Sequence, residues 1–190
     1  MGSYFTETGL FLIDTIIGLY ILIVLLRFLF RLVGAEFYNP ISQSIVKISN
    51  PMLRPLQRFL PTFRGIDFAA LLLLIILESI RISILAVSME HTPQLSGVLT
   101  LSVAKLLQLT VYVIVFALFV RAILSWMAGG TNHFFLGLLH SLTEPLMNKA
   151  LRILPRTGVI DFSPILVFVF LMLVLKLLVQ PLLDFGRLLI

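Results

Sequence analysis

Residues Ile66–Val87 read IDFAALLLLIILESIRISILAV. Aside from Asp67, Glu78, Arg81 and two serines, every residue in this run is apolar. As a helix rising 1.5 Å per residue it spans about 33 Å. That matches a bilayer hydrocarbon core of about 30 Å. A helix that is apolar all round belongs in a large protein core or in lipid. The chain has 190 residues, 59% hydrophobic and 12% charged, with a mean hydropathy of +1.11. Soluble chains carry about 45–50% apolar and about 25% charged residues. This balance excludes a soluble enzyme, a nucleic-acid-binding domain and a disordered tail. Three further runs, Leu10–Leu32, Leu95–Val120 and Ile160–Leu183, are also long enough to span. Lipid offers the backbone no hydrogen-bond partners, so helices are the expected form.

Between the spans lie two similar regions, 33–65 and 127–159. In the first, Ile41, Ile45 and Ile48 recur at helical spacing, with Ser42, Gln43, Lys47 and Ser49 between them. In the second, Phe135, Leu138, Leu139 and Leu142 do the same. This periodicity predicts two amphipathic helices lying in the membrane interface. Each is followed by a stretch containing proline and arginine, expected to be a linker. Shifting the chain by 94 positions places Arg27 on Arg121, Pro51 on Pro145, Arg58 on Arg152 and Asp67 on Asp161. Over residues 48–68, 7 of 21 aligned positions are identical. Self-similarity of this kind marks a duplicated unit. The expected fold is therefore all-α, with four transmembrane helices as two parallel two-helix repeats, residues 1–94 and 95–190. Two spans per unit bring both copies in from the same side.

The 14 Lys+Arg against 9 Asp+Glu give a net charge of +5. Lys47, Arg54, Arg58 and Arg64 sit in the first linking region, Lys149, Arg152 and Arg156 in the second. Basic loops face the cytoplasm. Both regions are thus expected there, with both termini and the Ser83–Leu95 segment on the other side. Residues 1–9 contain no Lys or Arg, so no cleaved leader is expected. The absence of cysteine excludes disulfides, thiolate-bound clusters, c-type haem attachment and a cysteine nucleophile.

Arg54, Arg58, Lys149, Arg152 and Arg156 are candidates for contact with anionic lipid or with a protein partner. Asp67 and Asp161 open the second span of each unit. They suit helix capping or, with Arg58 and Arg152 as partners, a proton or cation site. Asp14, Glu78, Arg81, Lys105 and Lys176 lie within spans, where ionisable groups are costly and become functional candidates. Glu78 and Arg81 can pair at i, i+3, and Glu78 with Lys105 or Lys176 would fix the bundle or line an ion path. His91, His133 and His140 lack metal-ligand spacing. No nucleotide-binding or hydrolase motif occurs, so neither metal nor cofactor is expected.

Tyr38-Asn39-Pro40-Ile41-Ser42-Gln43, then Asn50-Pro51, Arg58, Leu60-Pro61 and Ile66-Asp67, form a recognisable series. The second copy reads Ser125-Trp126, Thr143-Glu144-Pro145-Leu146, Arg152-Ile153-Leu154-Pro155 and Gly158 to Pro164. With these residues the chain resembles the YggT family, as two tandem units. In the first unit Ala69-Ala70 stands where the second has Ser163-Pro164. The resemblance implies an integral protein of the bacterial inner membrane and carries over no catalytic residue. It implies links to osmotic tolerance and ion uptake, to envelope organisation, and in plastids to haem attachment during cytochrome assembly. The expectation is a non-enzymatic scaffold or assembly factor for membrane partners. The alternative is a small channel or transporter subunit. Expected partners are the lipid bilayer and a membrane protein or a second copy, and no nucleic acid.

Overall fold

The computed structural model describes residues 2–35, 39–63, 65–88, 93–127, 134–153 and 163–190. The helices are α1 (Gly2–Leu32), α2 (Pro40–Phe59), α3 (Phe68–Ser88), α4 (Leu95–Met127), α5 (Phe134–Ile153), α6 (Ser163–Val174) and α7 (Gln180–Leu188). A π-helical turn, Leu175–Val179, joins α6 to α7. Among the described residues there is no strand, only an isolated bridge between Phe63 and Ile66. Four spans are long and apolar enough to cross a bilayer: Tyr4–Leu32, Phe68–Ser88, Leu95–Leu124 and Ser163–Leu188. The chain is an all-α, multi-pass membrane protein.

The helices run past several of the apolar boundaries read from sequence. α1 begins at Gly2 and α4 continues to Met127, because polar residues at a span end still complete their backbone bonds by staying helical. α1 stops at Gly34, whose φ of +67° closes the helix end with Ala35 N–H donating to the Phe30 carbonyl at 2.9 Å. Glycine adopts that left-handed backbone without steric cost.

The two proline-containing stretches are not simple linkers. α2 runs through Pro51 and Pro55, and α5 through Pro145. A proline inside a helix removes one N–H and costs about 3 kcal/mol. All three prolines lie on exposed faces, where water can serve the carbonyls left free. Burial of Ile45, Ser49 and Leu53 along the other side of α2 offsets the cost. Pro181 explains the π-turn: its ring crowds the carbonyl one turn back, and the widened turn before it makes room.

α4 is the central element and packs against α3, α5, α6 and α7, while α1 packs on α2 and α3 and touches α5. Each unit thus repeats one pattern: first span against interfacial helix and second span. Gly97 and Gly186 set the close approach of α4 and α7. A Cβ on Gly97 would lie 2.8 Å from the Leu189 carbonyl oxygen, and one on Gly186 2.7 Å from Leu101 Cγ. The main core joins Ile21, Val24, Leu53, Leu74, Ala117 and Leu139 across five helices.

Candidate functional site

Two arginines, 94 positions apart, hold the interfacial helices to the spans. Arg27 is buried in α1. Its Nη1 donates to Ser49 Oγ and to Asn50 Oδ1, each at 2.8 Å. Ser49 Oγ in turn donates to the Ile45 carbonyl at 2.7 Å. In the second unit Arg121 Nη1 donates to Thr143 Oγ1 at 2.7 Å, and Thr143 Oγ1 to the Leu139 carbonyl at 2.8 Å. Each partner is the residue 94 positions on. A hydroxyl that returns its proton to its own helix can accept from a guanidinium without leaving a buried donor unmet. The sequence aligned these two arginines as matched positions of the repeat and gave them no bonding role. The matched Ser49 and Thr143 were the missed clue.

Asp67 caps α3, as its position suggested. Its Oδ1 accepts from Ala70 N–H at 3.1 Å. Its Oδ2 accepts from Arg31 Nη1 and from Gln57 Nε2, both at 2.8 Å. With 1% of its side chain exposed, one carboxylate ties together α1, α2 and α3. The partner is Arg31, not Arg58. Gln57 occupies the inward position on α2, and Arg58, one residue and about 100° further round the helix, faces outward. Gly65, with φ of +84°, turns the chain just before Asp67. Asp161 and Arg156 lie outside the described residues, as do Arg64, His91, His133 and Pro155.

Within the spans, Arg81 reaches across from α3 to α1. Its Nε donates to Asp14 Oδ1 at 2.6 Å and its Nη2 to Asp14 Oδ2 at 3.1 Å. The guanidinium rests against Gly18, where an added Cβ would stand 3.6 Å from Arg81 Cζ. Arg81 Nη1 is also 3.4 Å from Glu78 Oε2. This i, i+3 pair was legible in sequence, whereas the Asp14 pair, 67 residues apart, was not. Glu78 is 2% exposed, and its Oε1 has no hydrogen bond among the described residues. Lys105 lies within electrostatic range of Glu78, Arg81 and Asp14. Neither Lys105 nor Lys176 makes an ion pair with a described residue. The expected interhelical pairing of Glu78 with a lysine is therefore corrected: Glu78 pairs within its own helix. Lys176 is exposed on the π-turn, away from the buried side of its span.

α2 presents three faces. Ser42, Ile45, Ser49 and Leu53 are buried. Ile41, Ile48, Met52 and Phe59 form an exposed apolar row, with Phe59 83% exposed. Lys47, Arg54 and Arg58 stand exposed on the opposite side. That order, protein, lipid and water, is the one a helix lying in a bilayer surface requires. On α5, Lys149 and Arg152 are likewise exposed. None of Arg54, Arg58, Lys149 and Arg152 has a hydrogen bond or ion pair to another described residue. Between the two interfacial helices and α1 and α4 opens a pocket of about 330 Å³. Leu26, Phe30, Ile45, Phe116 and Leu138 line it, and Tyr112 alone brings a side-chain hydroxyl to its wall. Its chemistry is that of an acyl chain or apolar side chain. Among the described residues no three His, Cys, Asp or Glu side chains gather to hold a metal.

The family model described as CCB3/YggT matches twice, over residues 6–88 and 100–182. The matches start 94 positions apart, the offset at which the sequence repeats. A protein of Pseudomonas aeruginosa is 38% identical over 87% of this chain and 85% of its own length. One of Haemophilus influenzae is 36% identical over 88% of each chain. The protein named YggT in Escherichia coli K12 is 34% identical over 87% of this chain and 86% of its own. No solved structure matches the chain. With both units matched and relatives aligned over most of their lengths, this chain belongs to the CCB3/YggT family.

Proposed function

We propose that this protein is a non-enzymatic scaffold or assembly factor of the bacterial inner membrane. In this reading α2 and α5 lie on the cytoplasmic surface, both termini face the periplasm, and the paired basic faces dock a membrane-protein partner. One observation carries it. Arg187 aside, which bonds within its own helix, the described arginines split into two groups. Arg27, Arg31, Arg81 and Arg121 bond to neighbouring elements within the chain. Arg54, Arg58 and Arg152 stay exposed, so they are available to something outside it. Arg58 and Arg152 occupy equivalent positions of the two units, 94 residues apart, and give a bivalent surface in which two modest contacts reinforce one another. The Asp14–Arg81–Glu78 cluster supports the same reading over transport, because its bonds join α1 to α3 and serve to fix the bundle.

Exposed charges are tested cleanly, since they add little to folding. Arg58→Ala combined with Arg152→Ala is expected to leave membrane insertion and thermal stability unchanged. Recovery of the stoichiometric co-purifying membrane protein in mild detergent should fall about tenfold or more, taking about 1 kcal/mol for each basic residue. Unchanged recovery would contradict the proposal.

A further inference from the structure

Lys176 is the fourteenth of the 26 residues in the Ser163–Leu188 span. The Ser163 end is about 20 Å away at 1.5 Å per residue, and the apolar run closes at Leu183, about 10 Å away, still further than a four-carbon stem can reach. The Cα–Cβ bond tilts toward the helix N-terminus, so the side chain sets out toward the Ser163 half rather than the nearer surface. Its neighbours Leu173, Leu177 and Leu178 are 49%, 74% and 51% exposed. This is a surface that meets hydrocarbon. An ammonium group there needs an opposite charge, and a charged residue within a span marks a functional site by default. The lysine also sits on the π-turn, a distortion often found at such sites.

Lys176 begins a polar row. Gln180, Asp184 and Arg187 follow at i+4, i+8 and i+11, all exposed and on one helix face. Asp184 Oδ1 accepts from Gln180 Nε2 and from Arg187 Nη1, each at 3.2 Å. That leaves Lys176 as the member of the row without a bond to a described residue. Among the described residues of the spans, a second copy of the chain offers no free carboxylate for Lys176. Asp14 is held by Arg81 and Glu78 is buried. Asp184 is already bonded, and Glu7 lies near the far end of α1.

We propose that the Lys176 face of the fourth span docks a transmembrane helix of another protein, one that carries an aspartate or glutamate at the depth of Lys176. This deepens the scaffold reading and rests on it, adding a contact inside the bilayer to the one at its surface. The two fail separately, because the arginine pair and the lysine lie on different surfaces and are read in different assays.

The test uses the full chain, labelled at Leu188→Cys and reconstituted in phosphatidylcholine vesicles. Energy transfer is measured to labelled Leu-rich helical peptides carrying a central Asp, Asn or Leu. The Asp peptide is expected to associate about tenfold more tightly than the Leu peptide. Lys176→Leu should abolish that preference and Lys176→Arg should keep it. Leucine suits a lipid-facing position, so the variant is expected to fold. No preference for the Asp peptide, or a preference that survives Lys176→Leu, overturns the proposal. So does disulfide cross-linking of Leu177→Cys between two copies, which would make the occupant a second chain.

Discussion

Asp67→Ala is expected to lower the unfolding free energy in detergent by about 3 kcal/mol. The figure combines about 1 kcal/mol for a lost helix cap with about 2 kcal/mol for charge-assisted bonds. Three elements lose their common tie: Ala70 N–H at the start of α3, Arg31 on α1 and Gln57 on α2. The loss stays moderate because Arg31 is 36% exposed and can turn to water. Asp67→Asn keeps a capping oxygen and gives up the charge, so it should cost about half as much. Arg31→Gln should cost little once Asp67 is already Asn, since the partners act as one unit. Equal losses in Asp67→Ala and Asp67→Asn would show that the cap contributes nothing, and wild-type stability in Asp67→Asn would show that the charge contributes nothing.

Arg27→Leu is expected to cost about 2–4 kcal/mol, because it strands Asn50 Oδ1 and removes the donor to Ser49 in a buried setting. Leucine restores apolar volume in the span, which keeps the effect from being one of cavity formation. Thr143→Val is the matched change in the second unit. It keeps the side-chain shape and deletes the acceptor of Arg121, for an expected loss of about 1–3 kcal/mol. The two clamps share no partner, so the double variant should lose the sum of the two. Limited proteolysis should then release α2 or α5 before any span is cut. Wild-type stability in Arg27→Leu would refute the clamp.

The spans were legible because apolar length is a local property. The repeat was legible because seven identities in register survive in 21 positions. What sequence could not supply was which polar groups meet. Asp14 and Arg81 are 67 residues apart and Arg31 and Asp67 are 36 apart, and no spacing rule covers such distances. Asp67 was read correctly as a cap because a cap bonds within three residues. Its proposed link to Arg58 failed by one step around a helix, since Gln57 holds the inward position. Pro51 and Pro55 misled for a different reason. A proline signals a break from its missing N–H, but its cost depends on which side of the helix faces water, and that is a tertiary fact.

The proposed docking role requires both basic helices to lie on one side of the membrane, the cytoplasmic side. The chain has no cysteine, so single cysteines report cleanly. Ser44 on α2 and Asn148 on α5 are both exposed. In intact cells, Ser44→Cys and Asn148→Cys should both be shielded from a membrane-impermeant thiol reagent, and Thr92→Cys should be labelled. Labelling of one of Ser44→Cys and Asn148→Cys without the other would break the parallel repeat. Labelling of both, with Thr92→Cys shielded, would place the basic faces outside and remove the cytoplasmic docking surface.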